Sequence, residues 1–513
     1  MCWKLPGQWL AFHPCKNNPK QICSSITEEA MPDANKKTTR RKIAYTLTLL
    51  ILLAGGITHP IYSQSVDTVS VDWPTMESRA LKTLVDLIQL DTSQPAGNEY
   101  RATDYLSQRL DVAGIPYKIY EAEPGRTNIV ARVKGNGSKQ PILLLGHTDV
   151  VTVERENWTF DPFSGAIAEG KIFGRGAADD KGIVAGSFEI LLALKKYKIP
   201  LDRDVIFLGV ADEEGGGGLG ITFMVENHLQ DIAAEFAINE GGRGIVDPGS
   251  DKYLSFSIGT AEKTPRRAVL SVVGKAGHGS VPTRDNAIGV LSVAVARLFE
   301  QPLPMELNET TRSYFTRLAQ SRPKAEADIY REILKPNPSM EVQEQLRDIN
   351  PAFFSIIRTS ITPTIFKGGY QRNVIPSSAQ ATLDIRALPG TDPELLFEAI
   401  NQIINDPNVK LEPMRVTRPA HDPAPLGTIL FNAFERVLSR EHAGAVVLPT
   451  MLTGATDSAQ LRSVGIPTYG FGPGVYMGEN NGIHGNDEFL RVSAYLEYIR
   501  LMWLIVNDVA ATH

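Results

Sequence analysis

The chain reads as an α/β protein: a mostly parallel sheet flanked by helices, with an inserted smaller α+β domain. Three observations predict this. Pro141 to Leu145 and Asp204 to Val210 carry unbroken apolar runs, as strands buried on both faces do. Segments with helical spacing alternate with these runs, the pattern of a layered domain with a parallel sheet. The length, 513 residues, exceeds one ordinary domain, so two are expected.

The elements follow in chain order. Residues 66–75 form a linker. Apolar residues recur at helical spacing from Met76 to Leu90 and again from Tyr100 to Leu110. Asn128 to Val133 and Pro141 to Leu145 are strands, Gly182 to Lys196 is an apolar helix, and Asp204 to Val210 is a second buried strand. The texture changes near Ala261. Arg267 to Val273 and Ala379 to Ile385 alternate like half-exposed strands. Between them lie a helix from Ala287 to Phe299 and a polar helical stretch over 308–350. The expected organisation is a catalytic domain over 76–260 and 386–510, interrupted by a lid and dimerisation domain over 261–385. Thr450 to Gly474 is a further strand-and-turn region of the first domain.

Composition narrows the function. Net charge is -6 with a pI near 5.9, and the body of the chain has no long basic run, which argues against a nucleic-acid partner. All three cysteines (Cys2, Cys15, Cys23) precede residue 30, so the rest of the chain can enter an oxidising compartment without disulfide risk. Residues 1–30 show no periodicity and read as a misassigned upstream extension, with Met31 as the true start. Lys36-Lys37 and Arg40-Arg41-Lys42 then precede an apolar run from Ile43 to Ile57, followed by Ser63-Gln64-Ser65. That is the pattern of a secretory signal over 31–65. The apolar run is about 15 residues, short of the ~20 that a spanning helix needs. An uncleaved anchor and a buried helix are the alternatives. The expected location is secreted or periplasmic, with membrane contact only if the segment is retained.

Five segments place metal-type ligands beside glycine: Gly146-His147-Thr148-Asp149, Gly174 to Asp180, Ala211-Asp212-Glu213-Glu214-Gly215, Asn239-Glu240-Gly241-Gly242 and Gly482-Ile483-His484-Gly485. The ligand types are His and carboxylate without Cys, a mix that suits a catalytic borderline divalent ion. His147 and Asp149 stand two apart on an extended chain, so one could ligate while the other orients it. Asp179-Asp180 sits in a glycine-framed turn. Glu213-Glu214 ends a buried strand, where one could ligate and the other act as general base. Ligands in parallel sheets gather beyond the strand carboxyl ends, where His147 and Glu213-Glu214 fall. Any one segment alone is weak evidence; together they suffice for two ions sharing one carboxylate.

In order, spacing and flanking glycines these motifs resemble the di-zinc exopeptidase and amidohydrolase family of carboxypeptidase S, aminoacylase, glutamate carboxypeptidase and succinyl-diaminopimelate desuccinylase. The resemblance spans about residues 76–510. It implies two Zn2+ per chain, with Co2+ or Mn2+ as substitutes. His147, Asp179 and Glu240 would hold one ion; Asp179, Glu214 and His484 would hold the other, with Asp179 bridging. Asp149 would orient His147, and Glu213 would be the general base. The Asp179–Asp180 peptide would be cis. Gly277-His278-Gly279-Ser280-Val281-Pro282 matches a lid motif in which His278 stabilises the oxyanion, often from a partner subunit of a homodimer. Arg372-Asn373-Val374-Ile375-Pro376 matches another, with Asn373 on the substrate. Arg386 corresponds to an arginine that grips a substrate carboxylate; a structural ion pair with Asp384 is its alternative. Asn239-Glu240-Gly241-Gly242, with Gly146 to Val151 and Trp158, resembles the subgroup of carboxypeptidase S and the secreted N-acyl amino acid hydrolases.

The resemblance therefore implies hydrolysis of an amide that releases a free amino acid, from a small peptide or an N-acyl amino acid, by a water shared between the two metals. A secreted binding protein that has lost catalysis would be missing a ligand or the base, and none is missing. A di-metal hydrolase of another class, such as an esterase, would not need the carboxylate-gripping Arg386.

Overall fold

The computed structural model describes residues 70–512. The upstream extension expected at 1–30 and the signal or anchor expected at 31–65 lie outside them.

Buried strands build the centre of the large sheet. Val205–Val210, Ile142–His147, Phe236–Asn239 and Thr468–Gly470 lie side by side and parallel. The pleat alternates their side chains between two cores. Ile142, Leu144, Val205 and Phe207 face a core shared with the helices Trp73–Ile88, Lys181–Lys196 and Val492–Ala510. Leu143, Leu145, Ile206 and Leu208 face a second core under the helix Ile221–Ile232. Covering on both faces is why these strands read as continuous apolar runs. The flanks are mixed. Arg126–Val133 and Tyr117–Glu123 add antiparallel on one side, and Tyr253–Glu262 pairs antiparallel with Thr468–Gly470 and Arg243–Val246 but parallel with Val446–Leu452 on the other.

The smaller domain is an antiparallel sheet of Thr264–Pro265, Ala268–Val273, Ser360–Gly368, Ser378–Ala387 and Val409–Pro413. The helices Ala287–Glu300 and Pro393–Ile404 pack on it through Leu291, Leu298, Leu396 and Ile400. The expected return to the first domain at Arg386 is therefore too early. Val409–Pro413 pairs with Ala268–Val273, so the sheet is complete only at Pro413. That edge strand is short and amphipathic, and without its partner nothing separates it from the catalytic segment that follows. The polar stretch also differs from expectation. Its helices Glu309–Ser321, Lys324–Ile333, Met340–Ile349 and Pro351–Ile356 share a core with Leu448 and Met451 of the large sheet, through Phe315, Leu318 and Tyr330.

Candidate metal centre

His147 closes its strand, and the preceding Gly146 explains how it gets close to the helix behind. A Cβ at Gly146 would stand 2.9 Å from the Asp180 carboxylate and 2.8 Å from Val184. Asp180 precedes the helix Lys181–Lys196 and accepts from the His147 main-chain N–H at 3.1 Å. The Asp179–Asp180 peptide is cis. The His147 Nδ1 lies 3.0 Å from the Asp149 carbonyl and 3.5 Å from its carboxylate. A carbonyl only accepts, so that contact places the proton on Nδ1 and turns the Nε2 lone pair outward. Nε2 faces an Asp179 oxygen at 3.1 Å and a Glu240 oxygen at 4.0 Å.

The second Asp179 oxygen faces another histidine. His484 Nε2 lies 3.1 Å from it and 3.0 Å from Glu214. The ligand atoms of His147, Asp179 and Glu214 lie within 4.8 Å of one another, as do those of His147, Glu213 and Glu240. Ligand atoms of a tetrahedral zinc site, bonded at 2.0–2.1 Å, stand about 3.3 Å apart. The His147–Asp179, His484–Asp179 and His484–Glu214 separations of 3.0–3.1 Å are near that spacing, the His147–Glu240 separation of 4.0 Å is wider, and the donor set is nitrogen and oxygen only.

The charges point the same way. Burial pushes the carboxyls of Glu213 and Glu240 well up, and neighbouring carboxylates add to it: Asp457 for Glu213, Asp179 for Glu240. Burial opposes the Asp179 charge too, but its bonds to His147 and His484 outweigh that and hold it down. His484 is pushed up to about 10 by its bonds to Asp179 and then Glu214. A buried surplus of carboxylates, with imidazole lone pairs among them, is stable only with protons or cations between them. The residues therefore fit a pair of divalent ions.

Other contacts fix this cluster, several of them from residues such as Gln94, Glu488 and Arg418 that carry no sequence signal. The Asp149 carboxylate accepts from the main-chain N–H of Glu213 at 3.0 Å and Glu214 at 3.1 Å, and from Gln94 at 2.7 Å. It thereby locks the Glu213-Glu214 turn as well as facing His147. Glu488, fully buried, accepts from Arg175 at 2.6 Å and from the N–H groups of Gly176, Ala178 and Asp179 at 3.0, 2.8 and 3.0 Å. Arg175 also donates to the Gly485 carbonyl at 2.7 Å. One ion pair thus ties the loop of Asp179 to the loop of His484. Arg418 donates to the Glu213 carboxylate and to Asp457. A cleft of about 210 Å³ opens beside Asp179 and Glu240, walled by Ile183, Leu452, Val475, Ile483 and Leu490.

The expected lid residues stand apart. Gly277–His278 pairs with Val374–Ile375, which sets His278 next to Asn373, and the Asn373 carbonyl accepts from Gly279. His278 is exposed and its ring bonds Ser280 at 2.7 Å. Arg386 pairs with Asp384 at 2.9 Å, the alternative raised for it. Among the described residues, none of the three bonds to the cluster or lines the cleft beside it.

A mixed α/β domain with a His–carboxylate cluster at its strand ends, interrupted by an antiparallel domain, is the architecture of a two-domain metal-dependent hydrolase. The family model described as peptidase family M20/M25/M40 matches residues 143–508, and the chain belongs to that family. It is 31% identical over 382 residues to a probable carboxypeptidase S-like 2 of Dictyostelium discoideum, covering 72% of each chain. It is also 31% identical over 386 residues to the human N-fatty-acyl-amino acid synthase/hydrolase PM20D1, covering 72% of this chain and 74% of that one. Among solved structures it resembles an M20 family metallo-carboxypeptidase of Sulfolobus solfataricus (TM-score 0.62, 19% identity, 84% of this chain and 98% of that one). It also resembles a Bacillus subtilis protein described as a dinuclear metal binding peptidase (TM-score 0.54, 14% identity, 85% and 99%). The protein is a metal-dependent hydrolase of peptide or other linear amide bonds.

Proposed function

We propose that this chain hydrolyses an amide to release a free amino acid, as a carboxypeptidase or N-acyl-amino-acid hydrolase, with two zinc ions. The observation that carries this reading is Asp179, whose two oxygens face different histidines, 3.1 Å from His147 and 3.1 Å from His484. His147, Asp179 and Glu240 would hold one ion and Asp179, Glu214 and His484 the other. Bound there, the ions would activate a water and polarise the amide carbonyl. Glu213 takes the proton of the attacking water and delivers it to the leaving nitrogen, a role favoured by burial that raises its proton affinity. Asp149 holds the turn that carries Glu213. The apolar wall of the cleft receives an apolar acyl group or side chain.

The lid residues enter in a homodimer or on closure: His278 on the oxyanion, Asn373 on the substrate and Arg386 on its carboxylate. Support for an interface comes from Ser360–Gly368, an edge strand of the small sheet with Ile365 and Phe366 half exposed. Secretion is supported by the N-terminal signal pattern and by the confinement of cysteine to Cys2, Cys15 and Cys23; among the described residues no helix is long and apolar enough to cross a membrane. The test is a screen of zinc-loaded protein against leucyl-leucine, N-acetyl-leucine and N-oleoyl-leucine, with Glu213→Gln beside the wild type. Turnover of at least one, lost in Glu213→Gln with about two zinc per chain retained, is expected. An active Glu213→Gln variant overturns the base assignment.

A further inference from the structure

Two chain crossings join the domains: residues 262–267 leave the large sheet and residues 414–428 return to it. The outgoing crossing is buried from Glu262 to Arg266, and the return crossing, largely exposed, buries the side chains of Arg418, His421 and Ala424; charge buried in such connections is unusual. Arg418 lies on the return crossing and is 4% exposed. One guanidinium nitrogen donates to Asp457 at 2.8 Å; the other donates to the Glu213 carboxylate and, at 3.2 Å, to the Glu213 carbonyl. The Arg418 carbonyl in turn accepts at 3.0 Å from Arg266, which lies on the outgoing crossing. Among the described residues Arg418 touches no expected metal ligand and does not line the cleft.

We propose that Arg418 is a positioning residue for the general base, and that through it the posture of the lid sets the orientation of the Glu213 carboxylate. This rests on the base assignment given above. A Glu side chain has three torsions, and in a cluster of carboxylates and cations it swings to the nearest positive charge. The planar fork of Arg418 removes that freedom by holding side chain and main chain of Glu213 at once, with Asp457 bracing its other side. A lysine presents a point charge and cannot serve both partners. Because the fork is carried by one crossing and pinned to the other by Arg266, a hinge rotation that moves the crossings moves the fork, and the carboxylate with it. The base is then aimed in the lid posture that also presents substrate.

The test compares Arg418→Lys, Arg418→Ala and Arg266→Ala with wild type on whichever of leucyl-leucine, N-acetyl-leucine and N-oleoyl-leucine the wild type turns over fastest. Zinc content and folding are checked for each variant. The expected result is a kcat loss of about 100-fold in both Arg418 variants with KM within about 3-fold, the scale of a misplaced general base. Added guanidinium ion restores part of kcat to Arg418→Ala and none to Glu213→Gln. Arg266→Ala, which keeps the fork but frees its carbonyl, loses kcat by about 5-fold, between wild type and the Arg418 variants, with KM again unchanged. Unchanged kcat in Arg418→Lys and Arg266→Ala overturns the proposal, as does a defect confined to KM, which makes Arg418 a substrate contact, or loss of zinc. If Arg418→Ala does not fold, the other two variants decide. An active Glu213→Gln removes the base assignment itself; an inert Glu213→Gln beside unaffected Arg418 variants removes only this inference.

Discussion

Replacing Glu488 tests whether the loop of Asp179 is held from behind. Glu488 accepts four donors: Arg175 and the three main-chain N–H groups of Gly176, Ala178 and Asp179. Glu488→Ala leaves Arg175 a buried, unpaired cation, and breaking a buried pair by removing one partner costs about 3–5 kcal/mol. Each N–H left without an acceptor costs a further 1 kcal/mol or so. Taking the low end of each, since water can enter the vacated space, gives about 6 kcal/mol. That is a large share of the roughly 5–15 kcal/mol that holds a typical domain together. Glu488→Gln is gentler: one oxygen remains, but the amide NH2 faces donors, and the loss is about 2 kcal/mol. Both variants also loosen Asp179, and removing a support behind metal ligands lowers affinity by about 10- to 100-fold. Zinc affinity by chelator competition, with urea midpoints on the same preparations, measures both effects. Wild-type zinc affinity and an unshifted midpoint in Glu488→Gln would refute the reasoning.

Further outcomes follow from other sites. Chelation should abolish turnover and zinc should restore it; activity that survives exhaustive chelation excludes the metal centre from the reaction. Arg386→Ala should reduce kcat/KM at least 10-fold more on substrates with a free carboxylate than on their amides, whereas equal losses return Arg386 to its ion pair with Asp384. Lys263 is fully buried at the outgoing crossing, bonded to Ser355 and Ser360, and burial, then Arg386 and Arg358 against the pull of Asp384, brings it down to about 7. Its folded-state value lies below its unfolded one, so the unfolded chain binds more protons between about pH 7 and 10.5 and stability rises with pH across that window. The full penalty, about 5 kcal/mol, acts below pH 7. Lys263→Met should therefore gain stability over wild type at pH 6.5 and lose most of that gain by pH 9.5; a pH-independent difference in urea midpoints contradicts this.

The α/β class was legible because Ile142 to Leu145 and Val205 to Val210 are covered on both faces and so cannot contain a polar residue. The lid boundary was not, because Val409–Pro413 belongs to the small sheet only through its pairing with Ala268–Val273, and a pairing partner leaves no local trace. The segments that meet in the cluster could be collected because each carries glycine where backbone must pass close to something. Gly242, for example, stands where a Cβ would lie 2.1 Å from the Gly470 carbonyl. Glu488, Gln94 and Arg418 had no such flag, and Arg175 lay inside a flagged segment without being a metal-type ligand. They are ordinary polar residues whose roles arise from burial beside one another, and burial of a charge at a loop or crossing is decided by the tertiary structure alone.

If Asp179 is shared between two ions as proposed, the order of the chain bears on how the centre fills. His147, Asp179 and Glu240 all precede the inserted domain, whereas His484 comes near the end of the chain. The two sets are thus completed at different moments of synthesis. A first ion bound by the early set would turn one Asp179 oxygen toward itself and leave the other presented for His484 and Glu214. It would also withdraw part of the negative charge a second ion seeks. Ordering of the shared ligand and depletion of its charge act in opposite directions, so the ratio of the two stepwise zinc affinities reports which of them dominates.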